Sequence, residues 1–222
     1  MKAPPSRHRI FLVDDHALVR EGLRKLIEQE PDLVVCGDAE SAATAFAGIT
    51  ELHPDVVLVD LSLRSDSGLD LVKRLQQLPE PPRVLVLSMH DELHYAERAL
   101  RAGALGYVMK RETSGRVLEA IRTLLAGQVF VSGAVSTQMA GKMLGSGRRS
   151  VESPIDRLSD RELEVFLRLG QGQETRRIAE ELHLSLKTIH THCAHLKEKL
   201  GLENATALML EAVRWVESQG RR

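Results

Sequence analysis

The chain has 222 residues, 43% hydrophobic, 27% charged and only 3% aromatic, with a formal net charge of -1. That length favours two domains, each able to bury its own core. So few aromatics argue against a reader of single strands by base stacking, and the near-neutral balance names no partner through a global field.

Charge by segment is little more polarised. Residues 1 to 126 hold 16 Lys/Arg against 19 Asp/Glu, and residues 146 to 222 hold 13 against 12. Any polyanion binding by the second half must therefore come from local placement. Cys36 and Cys193 are far apart, and Met1 to Arg9 lacks the apolar run of a signal peptide, so a cytoplasmic location is expected. No stretch approaches the roughly 18 to 20 apolar residues of a membrane helix, and no membrane partner is expected.

In chain order, five short apolar runs come first: Arg9 to Val13, Leu33 to Cys36, Val56 to Val59, Val84 to Leu87 and Gly106 to Val108. Segments of helical period separate them, for example Leu69, Leu71, Val72 and Leu75, and the last such segment ends near Gly127. Short buried strands alternating with helices predict a parallel (βα)5 sheet covered on both faces. From residue 127 to 153 Gly, Ser and Arg accumulate, which predicts a linker; its middle, Val135 to Leu144, has the pattern of a short amphipathic helix. Beyond Pro154 four helical segments, near 159 to 169, 174 to 182, 186 to 199 and 204 to 217, predict a small all-α domain. The expected division is thus 1 to 126, 127 to 153 and 154 to 222.

The chemistry of the first part lies at strand ends. Asp14 and Asp15 follow the first strand and Asp60 follows the third, and in a doubly wound sheet such positions converge on one crevice. Three carboxylates there repel unless a cation intervenes, and Mg2+ suits an oxygen set that also accepts phosphate. Ser88 past the fourth strand and Lys110 past the fifth add a hydroxyl and an ammonium, which makes a phosphoryl-binding arrangement with Asp60 as nucleophile. Taken singly, each has an ordinary reading: Asp14 as the N-cap of the first helix, Ser88 as a loop hydroxyl, Tyr107 as a strand aromatic, Lys110 as a solvated lysine.

Asp14-Asp15, Asp60, Ser88 and Lys110, with Tyr107 and the Ala102-Gly103-Ala104 run, resemble the receiver domain of two-component response regulators over Arg9 to about Ala126. The resemblance implies a flavodoxin-like α/β domain with strand order 2-1-3-4-5. It implies that Asp60 accepts phosphate from a sensor histidine kinase and that Asp14, Asp15, Asp60 and the backbone carbonyl of Ser62 hold Mg2+. Lys110 would pair with the phosphate, Ser88 and Tyr107 would rearrange as the switch, and the chain would be no enzyme beyond its own phosphorylation and dephosphorylation. The chain departs from that family after Asp60: Leu63-Arg64 stands where Met-Pro is common, and Ser67 where Asp is frequent. The effect expected is on phosphate lifetime, together with Ser62 and His90.

In the second part Ser185 is placed to cap a helix in which Ile189, Cys193, Leu196 and Leu200 share one face, the expected core. The preceding helix and short turn complete a helix-turn-helix. Leu158 to Val165, Ile178 to Leu182 and Ser185 to Gly201 resemble the LuxR-type domain of NarL/FixJ regulators. This implies a four-helix DNA-binding domain with contacts from Arg176, Lys187, Thr188, His190, Thr191, Ala194 and Lys197. It also implies a final helix that pairs with its copy, so that a homodimer reads two-fold related half-sites in promoter DNA. His190 and Ala194 stand where lysine is common, which predicts weaker nonspecific binding and a shallower salt slope. Two further features are expected to be bland: the His190, His192, Cys193 and His195 run as surface or groove histidines rather than a metal site, and Arg148-Arg149 as solvated linker charge. Two other functions compete. An aspartyl phosphohydrolase would commonly carry an acid where Ser62 stands, and a regulator could ignore phosphate and answer to a partner protein or ligand.

Overall fold

The computed structural model describes residues 7–63, 67–89, 91–145, 154–182 and 184–220. By residue contacts the chain divides into two compact units, Met1–Gly145 and Ser146–Arg222.

The first unit is a five-stranded parallel sheet in the order β2-β1-β3-β4-β5, as the resemblance implied. Its strands are β1 (His8–Val13), β2 (Leu33–Ala39), β3 (Val56–Asp60), β4 (Arg83–Ser88) and β5 (Gly106–Met109). Every residue of β3 is buried, because a parallel strand with helices on both faces meets no water and so tolerates a run such as Val-Val-Leu-Val. One layer of core joins Ile10, Leu12, Val56, Leu58, Leu85, Leu87 and Val108 to Val117, Ile121 and Leu124. Five helices connect or follow the strands: α1 (Ala17–Glu28), α2 (Ala42–Leu52), α3 (Gly68–Leu75), α4 (Glu92–Arg101) and α5 (Ser114–Leu125). The chain leaves β1 toward β2 on one side, and β3 lies on the other. The carboxyl ends of β1 and β3 therefore flank the switch in strand order, where a crevice opens.

After α5 the chain returns to the sheet. Phe130 forms a parallel bridge with Gly106, its N–H donating to the Leu105 carbonyl at 2.9 Å and its own carbonyl accepting from the Tyr107 N–H at 2.9 Å. The Arg116 guanidinium lies 4.4 Å from the Phe130 ring centroid, a cation–π contact over a buried ring. A further helix, α6 (Gly133–Gly145), then packs on α4. Ser132 donates its hydroxyl to Glu92 at 2.7 Å and accepts from the Val135 N–H at 3.2 Å, so one side chain both starts α6 and ties it to the start of α4. Among the described residues of the expected linker, this strap and helix are ordered against the first unit.

The second unit contains α7 (Asp160–Gly170), α8 (Thr175–Glu181), α9 (Leu186–Leu200) and α10 (Ala205–Gly220), preceded by one 3-10 turn at Pro154–Arg157. A capping box opens α7: the Ser159 hydroxyl accepts from the Glu162 N–H at 3.4 Å, and the Ser159 N–H donates to the Glu162 carboxylate at 2.7 Å. Phe166 meets Trp215 edge to face at 6.1 Å. A side chain at Gly170 would put its Cβ 2.5 Å from the Ala212 carbonyl, so only glycine allows α7 and α10 to approach this closely. Ile189 and Leu196 are fully buried, whereas Cys193 and Leu200, expected on the same core face, are only half-buried.

Candidate functional site

Asp60 ends β3 and is 3% exposed; Asp14, just past β1, is 2% exposed. Both carboxylates meet one cation. Lys110, following β5, places its Nζ 2.6 Å from Asp14 Oδ2 and 2.7 Å from Asp60 Oδ2. Its position is held by a backbone hydrogen bond from the Lys110 N–H to the Ser88 carbonyl at 2.8 Å. Burial pushes the Asp60 carboxyl above its ordinary pKa, a shift that the nearby Lys110 opposes and the charge of Asp14 reinforces. For Lys110 burial works against the charge, but Asp60 and Asp14 outweigh it and its pKa rises, so the ammonium stays protonated.

The described part of the loop after Asp60 is anchored at both ends. The Ser62 N–H donates to Asp60 Oδ1 at 3.2 Å, Leu63 is buried at 1% exposure, and Gly68 returns to donate its N–H to the Leu61 carbonyl at 3.2 Å. A Cβ at Gly68 would lie 2.2 Å from the Asp60 carbonyl oxygen, so this glycine lets α3 begin directly beneath the acid. Ser67 caps α3 by accepting from the Asp70 N–H at 3.4 Å, and the departure from aspartate there keeps a capping side chain. Arg64 and His90 lie outside the described residues, as do Arg148 and Arg149.

Ser88, at the end of β4, is completely buried and Tyr107 is 2% exposed. The two side chains share a hydrogen bond, and burial raises the Tyr107 phenol far enough to keep it neutral. Asp15 lies beside Asp14, and ligand atoms of Asp14, Asp15, His16 and Asp60 all fall within 4.8 Å of one another. His16 was not among the expected residues. It, and not Asp14, is the N-cap of α1, with no side-chain cap bond; Asp14 Oδ1 instead accepts the His16 N–H at 2.9 Å. Arg20 is a second addition: its guanidinium donates to the Asp14 carbonyl at 2.6 Å and to Asp38 at 2.9 Å, bracing the acidic loop against β2.

In the second unit Ser185 caps α9, accepting from the Thr188 N–H at 3.0 Å. Lys187, His190, Thr191 and Ala194 are exposed on one side of α9, while Thr188 and Lys197 are half-buried. The hydroxyls of Thr188 and Thr191 are engaged locally, with Ser185 at 2.8 Å and the Lys187 carbonyl at 3.1 Å. Arg176 on α8 extends into solvent 3.7 Å from Glu180. Inside, Glu162 binds Lys199 at 2.6 Å and lies 3.6 Å from His195. Burial raises the Glu162 carboxyl, but Lys199 and Ser159 more than reverse this and hold it below its ordinary value. Among the described residues, the histidines and Cys193 of α9 form no grouping of metal-competent atoms like that at Asp60.

Comparison with known proteins agrees with both halves. Residues 10–122 match the family described as response regulator receiver domain, and residues 156–212 match bacterial regulatory proteins of the luxR family. The transcriptional regulatory protein UhpA of Escherichia coli K12 is 37% identical over 199 residues, spanning 90% of this chain and 94% of UhpA. The oxygen regulatory protein NreC of Staphylococcus aureus MRSA252 is 31% identical over 210 residues, 93% of this chain and 97% of NreC. A solved structure of RcsB from Salmonella enterica serovar Typhimurium, bound to a promoter in the presence of the phosphomimetic BeF3-, superposes with a TM-score of 0.57. It is 27% identical and covers 94% of this chain and all of that one. The chain belongs to the NarL/FixJ family of response regulators, with a receiver domain followed by a LuxR-type DNA-binding domain.

Proposed function

We propose that Asp60 is the phosphoacceptor and that its phosphorylation by a sensor histidine kinase controls dimerisation and promoter binding. One observation carries the reading: a buried carboxylate at the switch point shares one ammonium, that of Lys110, with Asp14, while Asp15 stands beside them. In the reaction an Asp60 oxygen forms the P–O bond as the P–N bond of the donor phosphohistidine breaks, and the imidazole, already protonated on its other ring nitrogen, leaves as the neutral ring. Lys110 is free to pair with a phosphoryl oxygen once its bond to Asp60 is given up. The donor set is oxygen at Asp14, Asp15 and Asp60, three carboxylates beside the single ammonium of Lys110, which fits Mg2+. Such an ion, with the Ser62 carbonyl as a further ligand, would offset that charge and bind a phosphoryl oxygen.

The functional division we infer is a receiver at 1 to 126, a linker at 127 to 153 and a DNA-binding domain at 154 to 222. Lys187, Thr188, His190, Thr191, Ala194 and Lys197 would face the major groove, and Arg176 a backbone phosphate. RcsB, seen on promoter DNA with a phosphomimetic and as dimers on DNA, supports DNA as the partner and a homodimer as the DNA-bound form; the DNA-binding domain itself supports a cytoplasmic setting. No helix among the described residues is long and apolar enough to cross a membrane. Incubation with acetyl phosphate and Mg2+ tests the site: a phosphate-affinity gel is expected to show a shifted band in wild type and none in Asp60→Asn. A shifted band in the variant would remove Asp60 from the role.

A further inference from the structure

We propose that His16 is itself a ligand of the divalent cation, giving this receiver a mixed nitrogen and oxygen site that favours transition-metal ions over Mg2+ more than carboxylates alone would. The inference rests on the cation reading above and extends it to a residue outside the acidic set.

The geometry is that of a coordination edge. His16 Nδ1 lies 2.7 Å from Asp15 Oδ1 and 3.4 Å from Asp14 Oδ1. Neighbouring ligands on an octahedral ion with bonds of about 2.1 Å sit about 3 Å apart, so Nδ1 stands near that spacing from each of the two carboxylate oxygens. Division of labour among the oxygens supports the same placement. Lys110 occupies Asp14 Oδ2 and Asp60 Oδ2, and the Ser62 N–H takes Asp60 Oδ1. The imidazole stands beside the Oδ1 atoms of Asp14 and Asp15, the first of which also accepts the His16 N–H at 2.9 Å. The backbone fixes that stance: His16 is the residue before α1, its N–H is bound to Asp14 Oδ1 at 2.9 Å, and its carbonyl accepts from the N–H groups of Val19 and Arg20. The ring is 57% exposed as a side chain, so it can give up its contact with Asp15 and present the Nδ1 lone pair of the Nε2–H tautomer without repacking. Imidazole nitrogen binds borderline first-row ions better than the hard Mg2+, which retains water instead.

The test uses the full-length protein with MnCl2, CoCl2 and MgCl2. Pulsed electron spin resonance of bound Mn2+ is expected to show nitrogen-14 modulation in wild type and none in His16→Asn. Asparagine is a preferred N-cap, so this variant is expected to keep its fold, checked by circular dichroism. By calorimetry the Co2+ to Mg2+ affinity ratio should fall about tenfold in His16→Asn, with Mg2+ affinity changed less than about threefold. Bound Mn2+ lacking nitrogen modulation, or an unchanged ratio, would overturn the role of His16 while leaving the carboxylate site intact. Absence of any Mn2+ or Mg2+ binding to wild type, or binding undiminished in Asp15→Asn, would instead sink the cation site on which the inference stands.

Discussion

Asp60 is held under opposing forces: burial and Asp14 disfavour its charge, while Lys110 favours it. The carboxyl pKa is raised in the fold, so between its unfolded and folded values the native state holds the extra proton, and stability falls as pH rises through that window. At neutral pH the site is therefore a strained charge cluster that a cation relieves. Mg2+ at ten times its dissociation constant is expected to stabilise the wild type by about 1.4 kcal/mol, measured as a rise in thermal midpoint that Asp15→Asn abolishes. Gly68→Ala is the sharpest steric test, since a Cβ 2.2 Å from the Asp60 carbonyl must displace the backbone that carries the acid. A cost of about 1 to 3 kcal/mol in urea unfolding is expected, with slowed phosphorylation; an unperturbed variant would show the loop to be slack. The five polar positions of the pocket were legible because each follows an apolar run and the parallel topology fixes where such residues go. His16 and Arg20 were not. A histidine between an acidic pair and a helix has no periodicity to mark it, and Arg20 acts through the carbonyl of Asp14, a backbone atom without a sequence signature.

At the scale of elements, two joints carry the tertiary fold. In the LuxR-type domain Glu162 closes the capping box of α7 and binds Lys199 of α9. Its carboxyl is held below the ordinary value, so its contribution is present above the unfolded pKa and is lost as pH falls through the folded one. Glu162→Ala should cost about 2 kcal/mol at pH 7, combining a lost cap with an unpaired lysine, and the difference from wild type should shrink as the pH drops below 4.5 and through the lowered folded value. A difference that stays constant over that range would contradict the pairing. In the receiver the joint is the strap at Phe130, whose carbonyl holds the N–H of Tyr107. Phe130→Ala is expected to destabilise the receiver by about 3 to 5 kcal/mol, and residues 1 to 145 should unfold at higher urea than residues 1 to 126. The helices and strands were readable from period and punctuation; the strap was not, because Val129, Phe130 and Val131 are an isolated apolar run between Gln128 and Ser132, with no helical or alternating period around it to mark a strand.

For the whole molecule, order along the chain follows two compact units, Met1–Gly145 and Ser146–Arg222. Texture changes after Gly127, yet the ordered part of that segment bridges β5 and packs on α4, so packing against the first unit continues past the point where glycine and serine begin to accumulate. On the DNA side, an exposed row with histidine and alanine among its members offers few fixed charges. Affinity for random duplex is expected to fall with salt along a slope of small magnitude, and His190→Lys should steepen it by about one unit.

The central claim is that phosphate on Asp60 governs DNA binding. Promoter binding should be measured by selection and then by titration, with full-length wild type and Asp60→Asn, each with and without acetyl phosphate and Mg2+. Phosphorylation is expected to tighten binding of wild type about tenfold or more, within the range of allosteric coupling, and to leave Asp60→Asn unchanged. Equal tightening of the variant, or phosphorylated wild type that binds no better than the unmodified protein, would contradict it.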